Sequence, residues 1–129
     1  MTRVYQGVDI VEIGKFREIL ARHDAFLTDV FTPHERAYCG SRACPHVHLA
    51  GHFAAKESYL KALGTGLSGI GIPHALSEVE ITHAASGGPR LSVSGWVAKL
   101  AEKLRVRQAS VSISHSGDYA VAAVVLVGE

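Results

Sequence analysis

At 129 residues and 13.7 kDa, with 47% hydrophobic and 19% charged residues, the chain has the size and composition of one compact domain, 1–129. It lies far from the composition of disordered chains. A formal net charge of +1 and a pI near 7.9 provide no bulk attraction for a polyanion, so nucleic acid is not expected as a partner. The longest apolar run, YAVAAVVLV at 119–127, is half the length of a membrane-spanning helix, and no membrane span is expected. The opening MTRVYQGVDIVEI places Asp9 where a secretion signal needs apolar residues, and Cys39 and Cys44 are too few to staple a secreted scaffold. These features lead to the expectation of a cytoplasmic protein with free thiols.

Residues 4–11 are short, apolar and β-branched, which predicts a strand with Tyr5, Gly7, Asp9 and Val11 on one face. From 13 to 23, Ile13, Phe16, Ile19 and Leu20 recur at helical steps, leaving Lys15, Arg17 and Arg22 solvated. Thr32-Pro33-His34-Glu35 combines an N-cap hydroxyl, a proline at N1 and a carboxylate at N3, so a helix starts at Pro33 and frays near Gly40. Pro45 opens the longest helix, HVHLAGHFAAKESYLKAL, which ends at Gly64. Segments 78–82 and 90–94 flank a Ser-Gly-Gly-Pro turn, and 95–104 returns to helical spacing. Strands 109–115 and 119–127 are joined by Ser116-Gly117-Asp118 into a hairpin. The order predicts an α+β fold, an antiparallel sheet with packed helices.

Asp9 sits among Val8, Ile10 and Val11, where an unpaired charge at a core edge is costly. Glu57 and Lys61 share a helix face with Phe53 one turn earlier; on their own they would be an ordinary surface ion pair. If Asp9 and Glu57 face one another, a cation or a proton must relieve their repulsion, and a hard divalent ion is one solution. Gly64-Thr65-Gly66-Leu67-Ser68-Gly69 matches G-x-G-x-x-G, but it follows a helix rather than a strand, which excludes a dinucleotide fingerprint. Cys39, Cys44, His46 and His48 do not match usual structural zinc spacing. Ser114 and His115 are adjacent in a strand and point to opposite faces, which disfavours a hydrolase triad; His115 is left as a phosphate contact or a structural group. The remaining histidines read as surface residues.

Together these motifs resemble the holo-acyl-carrier-protein synthases, the short class of 4'-phosphopantetheinyl transferases. The similarity runs from Gly7-Val8-Asp9-Ile10-Val11-Glu12 through Phe31-Thr32-Pro33-His34-Glu35. It is sharpest in Phe53-Ala54-Ala55-Lys56-Glu57-Ser58 with Lys61-Ala62-Leu63-Gly64-Thr65-Gly66, and it closes with Val111-Ser112-Ile113-Ser114-His115. The resemblance implies a magnesium ion held by Asp9 and Glu57, with Lys61 as a catalytic contact to a coenzyme A phosphate. It further implies a coenzyme site lined by Gly64, Thr65, Gly66 and His115. It also implies a homotrimer with active sites between subunits, and an apo-acyl carrier protein as acceptor, the enzyme releasing 3',5'-ADP with Glu57 or a metal-bound water as base. Two positions depart from the family pattern: His52 and Lys15 stand where arginine is common. The alternative carried alongside is a non-catalytic trimeric module that binds coenzyme A or carrier protein.

Overall fold

The computed structural model describes residues 1–65 and 72–129. Strand β1 (Arg3–Glu12) leads into α1 (Ile13–Arg22), α2 (Asp24–Val30), α3 (Pro33–Gly40) and the long α4 (Pro45–Ala62). After α5 (Ile72–Ser77) come β2 (Val79–His83), β3 (Pro89–Val93), α6 (Gly95–Lys103), β4 (Val106–Ser116) and β5 (Tyr119–Gly128). Strands β1, β5 and β4 form one antiparallel sheet with β5 in the centre, and β2 pairs with β3 in a second. The α+β expectation therefore holds. Among the described residues no helix is long and apolar enough to cross a membrane.

Helix α4 packs against the three-stranded sheet and carries most of the core. Twelve of its residues, from Leu49 to Ala62, are buried, so it is enclosed on several sides rather than amphipathic. Its close approach depends on Gly7 in β1: a Cβ there would collide with the Ser58 carbonyl and the Ala62 nitrogen. At the opposite end of the contact, Gly51 lies against Ile113 of β4. On the α1 side, Phe16, Phe26, Phe31 and Phe53 form an aromatic cluster whose ring centroids stand 5.2 to 6.4 Å apart, within the range favoured by edge and tilted packing.

Helix α3 begins as its sequence dictates. The Thr32 hydroxyl accepts from the Glu35 amide, the Glu35 carboxylate accepts from the Thr32 amide, and Pro33 occupies the first turn. Two helices go beyond the sequence reading, α2 with 7 residues and α5 with 6. Neither spans enough turns to establish a period, so their helicity comes from packing rather than from pattern. Strands β1, β4 and β5 also extend one to three residues past their predicted ends, because ladder pairing continues from Arg3 opposite Gly128 and on to Val106 opposite the same residue.

Candidate active site

Alternation along β1 turns Asp9 toward α4, opposite Ala122 of the central strand. Helical spacing brings Glu57 and Lys61 to the flank of α4 that meets it. Lys61 Nζ donates to Asp9 Oδ1 at 2.8 Å and to the Val8 carbonyl at 3.2 Å; the lysine thus pairs with Asp9 rather than with its helix neighbour Glu57. Asp9 keeps 11% of its side chain exposed, and Glu57 is 6% exposed. Burial, then the charge of Asp9 and a hydrogen bond to it, pushes the Glu57 carboxyl up to about 8, with Lys61 pulling the other way. Two carboxyl groups share this cleft with one ammonium, an arrangement that favours a proton or a cation between them.

The donor set fits magnesium. Two carboxylates suffice for an ion that takes one or two from protein and fills its remaining positions with water and phosphate. Among the described residues no group of three or more His, Cys, Asp or Glu side chains is arranged to hold a metal ion, so neither a cysteine-histidine zinc cluster nor a closed cage competes with this pair. Cys39 is buried and Cys44 exposed.

Beyond Lys61 the helix ends on Gly64, whose φ of +84° is a left-handed conformation open to glycine at little cost. Its amide donates to the Lys61 carbonyl at 2.9 Å, and both the amide and the hydroxyl of Thr65 donate to the Leu60 carbonyl. The Thr65 hydroxyl therefore serves the helix end. Gly66, and with it the rest of the glycine-rich segment, lies outside the described residues.

His115 is not brought to the carboxylate pair. It sits on β4 opposite Ala120, at a pocket of about 210 Å³ whose lining also includes Tyr38, His48, His52 and His83. Ser114 and His115 fall at consecutive positions of the continuous strand β4, so their side chains leave opposite faces, as the sequence pattern implies.

His52 corrects the reading of the remaining histidines as surface residues. It is 2% exposed, and it belongs to a polar cluster that the sequence pattern does not reveal. Glu35, assigned by its spacing only to a helix cap, is fully buried and accepts from Lys56 Nζ at 2.6 Å, from the Ile81 amide and from the Thr32 amide. Lys56 Nζ also donates to the Leu76 and Val79 carbonyls at 2.9 and 2.6 Å, so its three protons are satisfied. Burial would raise the Glu35 carboxyl, but His52 and Lys56 together hold it below the ordinary carboxylate range. Burial and the Glu35 charge push the adjacent Cys39 thiol up to about 12, so it stays protonated and unreactive. A signal for this cluster does exist: His52 and Lys56 stand four apart in a helix otherwise rich in alanine and leucine, and buried polar groups on such a face require partners.

The sequence profile of the 4'-phosphopantetheinyl transferase superfamily matches residues 6–124. The chain is 43% identical to a holo-[acyl-carrier-protein] synthase of Syntrophus aciditrophicus over 123 residues, covering 95% of this chain and 94% of the relative. A second such synthase, from Moorella thermoacetica, is 43% identical over 94% of this chain and 91% of its own. Among solved structures, the Chronobacterium ammoniagenes ACPS–CoA complex superposes with a TM-score of 0.85 at 35% identity, covering 98% of each chain.

Proposed function

The chain belongs to the 4'-phosphopantetheinyl transferase superfamily, and on that premise we propose that it transfers the 4'-phosphopantetheine arm of coenzyme A to a serine of an apo-acyl carrier protein. The observation that carries this reading is the Asp9–Glu57 pair with Lys61 against it. Relatives of the same length are holo-[acyl-carrier-protein] synthases, and a similar structure holds CoA.

In this reading Asp9 and Glu57 hold magnesium, which when bound offsets negative charge on the coenzyme's diphosphate. Lys61, half exposed and anchored among the described residues by its Asp9 and Val8 contacts, is suited to reach a phosphate as a mobile point charge. Glu57, as a carboxylate, would be the side chain placed to accept the proton of the attacking serine. The serine oxygen attacks the β-phosphorus, the diphosphate bond breaks, and 3',5'-ADP leaves. Gly64, Thr65 and Gly66 line the approach to the coenzyme, and His115 contacts it from the histidine-lined pocket.

Asp9 meets α4 from β1, whereas His115 lies across the sheet on β4. This separation supports an active site shared between subunits of a homotrimer. The outer face of the sheet supplies a surface for such assembly: Val8 and Ile10 are 62% and 65% exposed, next to Ala123 and Val121 of β5, an apolar stripe that gains from being covered.

Incubation with coenzyme A, magnesium and apo-carrier protein, read by intact mass, tests the activity. The carrier should gain the phosphopantetheine arm, chelation by EDTA should stop the gain, and added magnesium should restore it. No mass gain on any carrier would favour a non-catalytic binding module. Sedimentation of the wild-type chain should show a trimer that Val8→Arg and Ile10→Glu together dissociate; a wild-type monomer would overturn the assembly.

A further inference from the structure

Two neighbouring hydroxyls of α4 are treated differently by the fold. Ser58 Oγ is buried and donates to the Ala54 and Ala122 carbonyls. Tyr59 is 2% exposed, yet among the described residues its hydroxyl has no hydrogen-bond partner, and burial is the one influence on its phenol, raising it above the ordinary value. The hydroxyl therefore keeps its proton and can both donate and accept. Among the described residues no side-chain nitrogen or oxygen sealed from solvent lacks a partner, so the Tyr59 hydroxyl opens on accessible space.

That space is a cavity of about 290 Å³, which Tyr59 lines from α4, Leu91 and Val93 from β3, Ala101 from α6 and Val106 from β4. An apolar cavity of about 150 Å³ already holds benzene, so there is room here for a ring with a short chain. A hydroxyl facing such walls gains from a partner, because an unpaired polar group in apolar surroundings is costly.

Charge decides the kind of occupant. Arg107 is the one cation among the lining residues, and Glu129 holds it at 2.9 Å. Glu102 is an acid and Gln108 is neutral, so a carboxylate or phosphate finds no uncommitted cation in the lining. The cavity is also separate from the carboxylate cleft. Residues two apart on a helix point about 200° apart, which sends Tyr59 away from the flank that carries Glu57, and neither Asp9, Glu57, Lys61 nor His115 lines the cavity. We propose that this cavity is a second binding site, for an uncharged aromatic or short aliphatic molecule whose single amide or hydroxyl group pairs with the Tyr59 hydroxyl. An occupant there touches α4, the helix of Glu57 and Lys61, from the side opposite the cleft. The inference does not depend on the transferase reading.

The test is a titration of the ¹³C-methyl-labelled full chain, followed by NMR, with 4-propylbenzamide and in parallel with 4-propylbenzoate, its anionic counterpart of the same shape. The benzamide should shift the methyls of Leu91, Ala101 and Val106 saturably and leave that of Ala122, opposite Asp9, in place. No saturable shift, or shifts centred on Ala122, would overturn the site. The benzoate should bind at least about tenfold more weakly, since it loses its water without gaining a cation; equal affinity would overturn the uncharged class. Two variants locate the contact. Tyr59→Phe keeps the buried ring and removes the hydroxyl alone, and should weaken the benzamide roughly two- to tenfold, the ordinary worth of one hydrogen bond. Unchanged affinity would overturn the pairing. Ala109→Phe places a ring at an exposed β4 position that lines the same cavity, and should abolish binding while the methyl spectrum remains that of a folded chain. Binding retained in this variant would place the probe elsewhere and overturn the assignment.

Discussion

Two acidic clusters flank the same helix and are balanced in opposite ways. Around Glu35, every acceptor and donor is matched: Lys56, His52 and two backbone amides surround one carboxylate. Around Asp9 and Glu57, two carboxyl groups meet one half-exposed lysine, and Glu57 is driven up to about 8. Saturation of a buried charge fixes structure, because removing any partner exposes the rest to desolvation. Under-compensation at the edge of the core leaves capacity for a ligand. The adjacent residues Lys56 and Glu57 thus serve different purposes, one turned inward to α3 and β2, the other toward β1.

The largest expected effect breaks the under-compensated cluster. Asp9→Ala and Glu57→Ala should each reduce carrier modification by roughly a thousandfold or more, with circular dichroism unchanged. A wild-type rate in either variant, read by intact mass, would remove the metal assignment.

Breaking the saturated cluster should instead act on stability. Glu35→Ala leaves Lys56 buried without its counter-charge and should cost about 3–5 kcal/mol in urea unfolding. Replacing the pair together, Glu35→Leu with Lys56→Met, should recover much of that loss, since an apolar substitute avoids the buried charge. Equal destabilisation by the single and double changes would contradict the pairing.

A smaller effect separates the clusters by pH. In metal-free protein, Glu57 keeps its proton in the fold up to about 8, whereas the unfolded chain releases it near the ordinary carboxylate value. Stability should therefore fall as pH rises from that ordinary value through about 8 and level off above it. Glu57→Gln in EDTA should remove this slope and gain ~2–4 kcal/mol at alkaline pH. Parallel stability profiles for variant and wild type would show that the carboxyl pair carries no such penalty.

The smallest effect lies on the surface. Lys15, Arg17 and Arg22 are exposed on α1, against Glu18 as the helix's acid, a local excess suited to steering an acidic carrier. Reversing Arg17 and Arg22 to glutamate should raise carrier KM by roughly three- to thirtyfold at low salt and leave coenzyme A affinity unchanged. Equal carrier KM for variant and wild type would exclude this docking surface.

Local signals in the sequence were sufficient for elements whose stabilisation is local. The Thr32–Glu35 capping box, the Pro45 start and Gly64 end of α4, and the β4–β5 hairpin all follow from side-chain and turn chemistry within a few residues. An acid in an apolar strand signalled that Asp9 needs a partner, but that the partner is Glu57 was implied by the family resemblance rather than by the residues alone. Helices α2 and α5 were not legible, being too short for a periodic pattern to form.

The sequence by itself determined the α+β class, the principal elements and the superfamily to which the chain belongs. Only the tertiary structure decided the partners: that Lys61 pairs with Asp9, that Glu35 takes Lys56 across 21 positions, and that His52 is an interior group facing His83. The physical reason is separation along the chain. Capping and periodicity act over one or two turns, whereas burial and the charge balance of a site depend on which distant segments the packing of α4 against the sheet brings together.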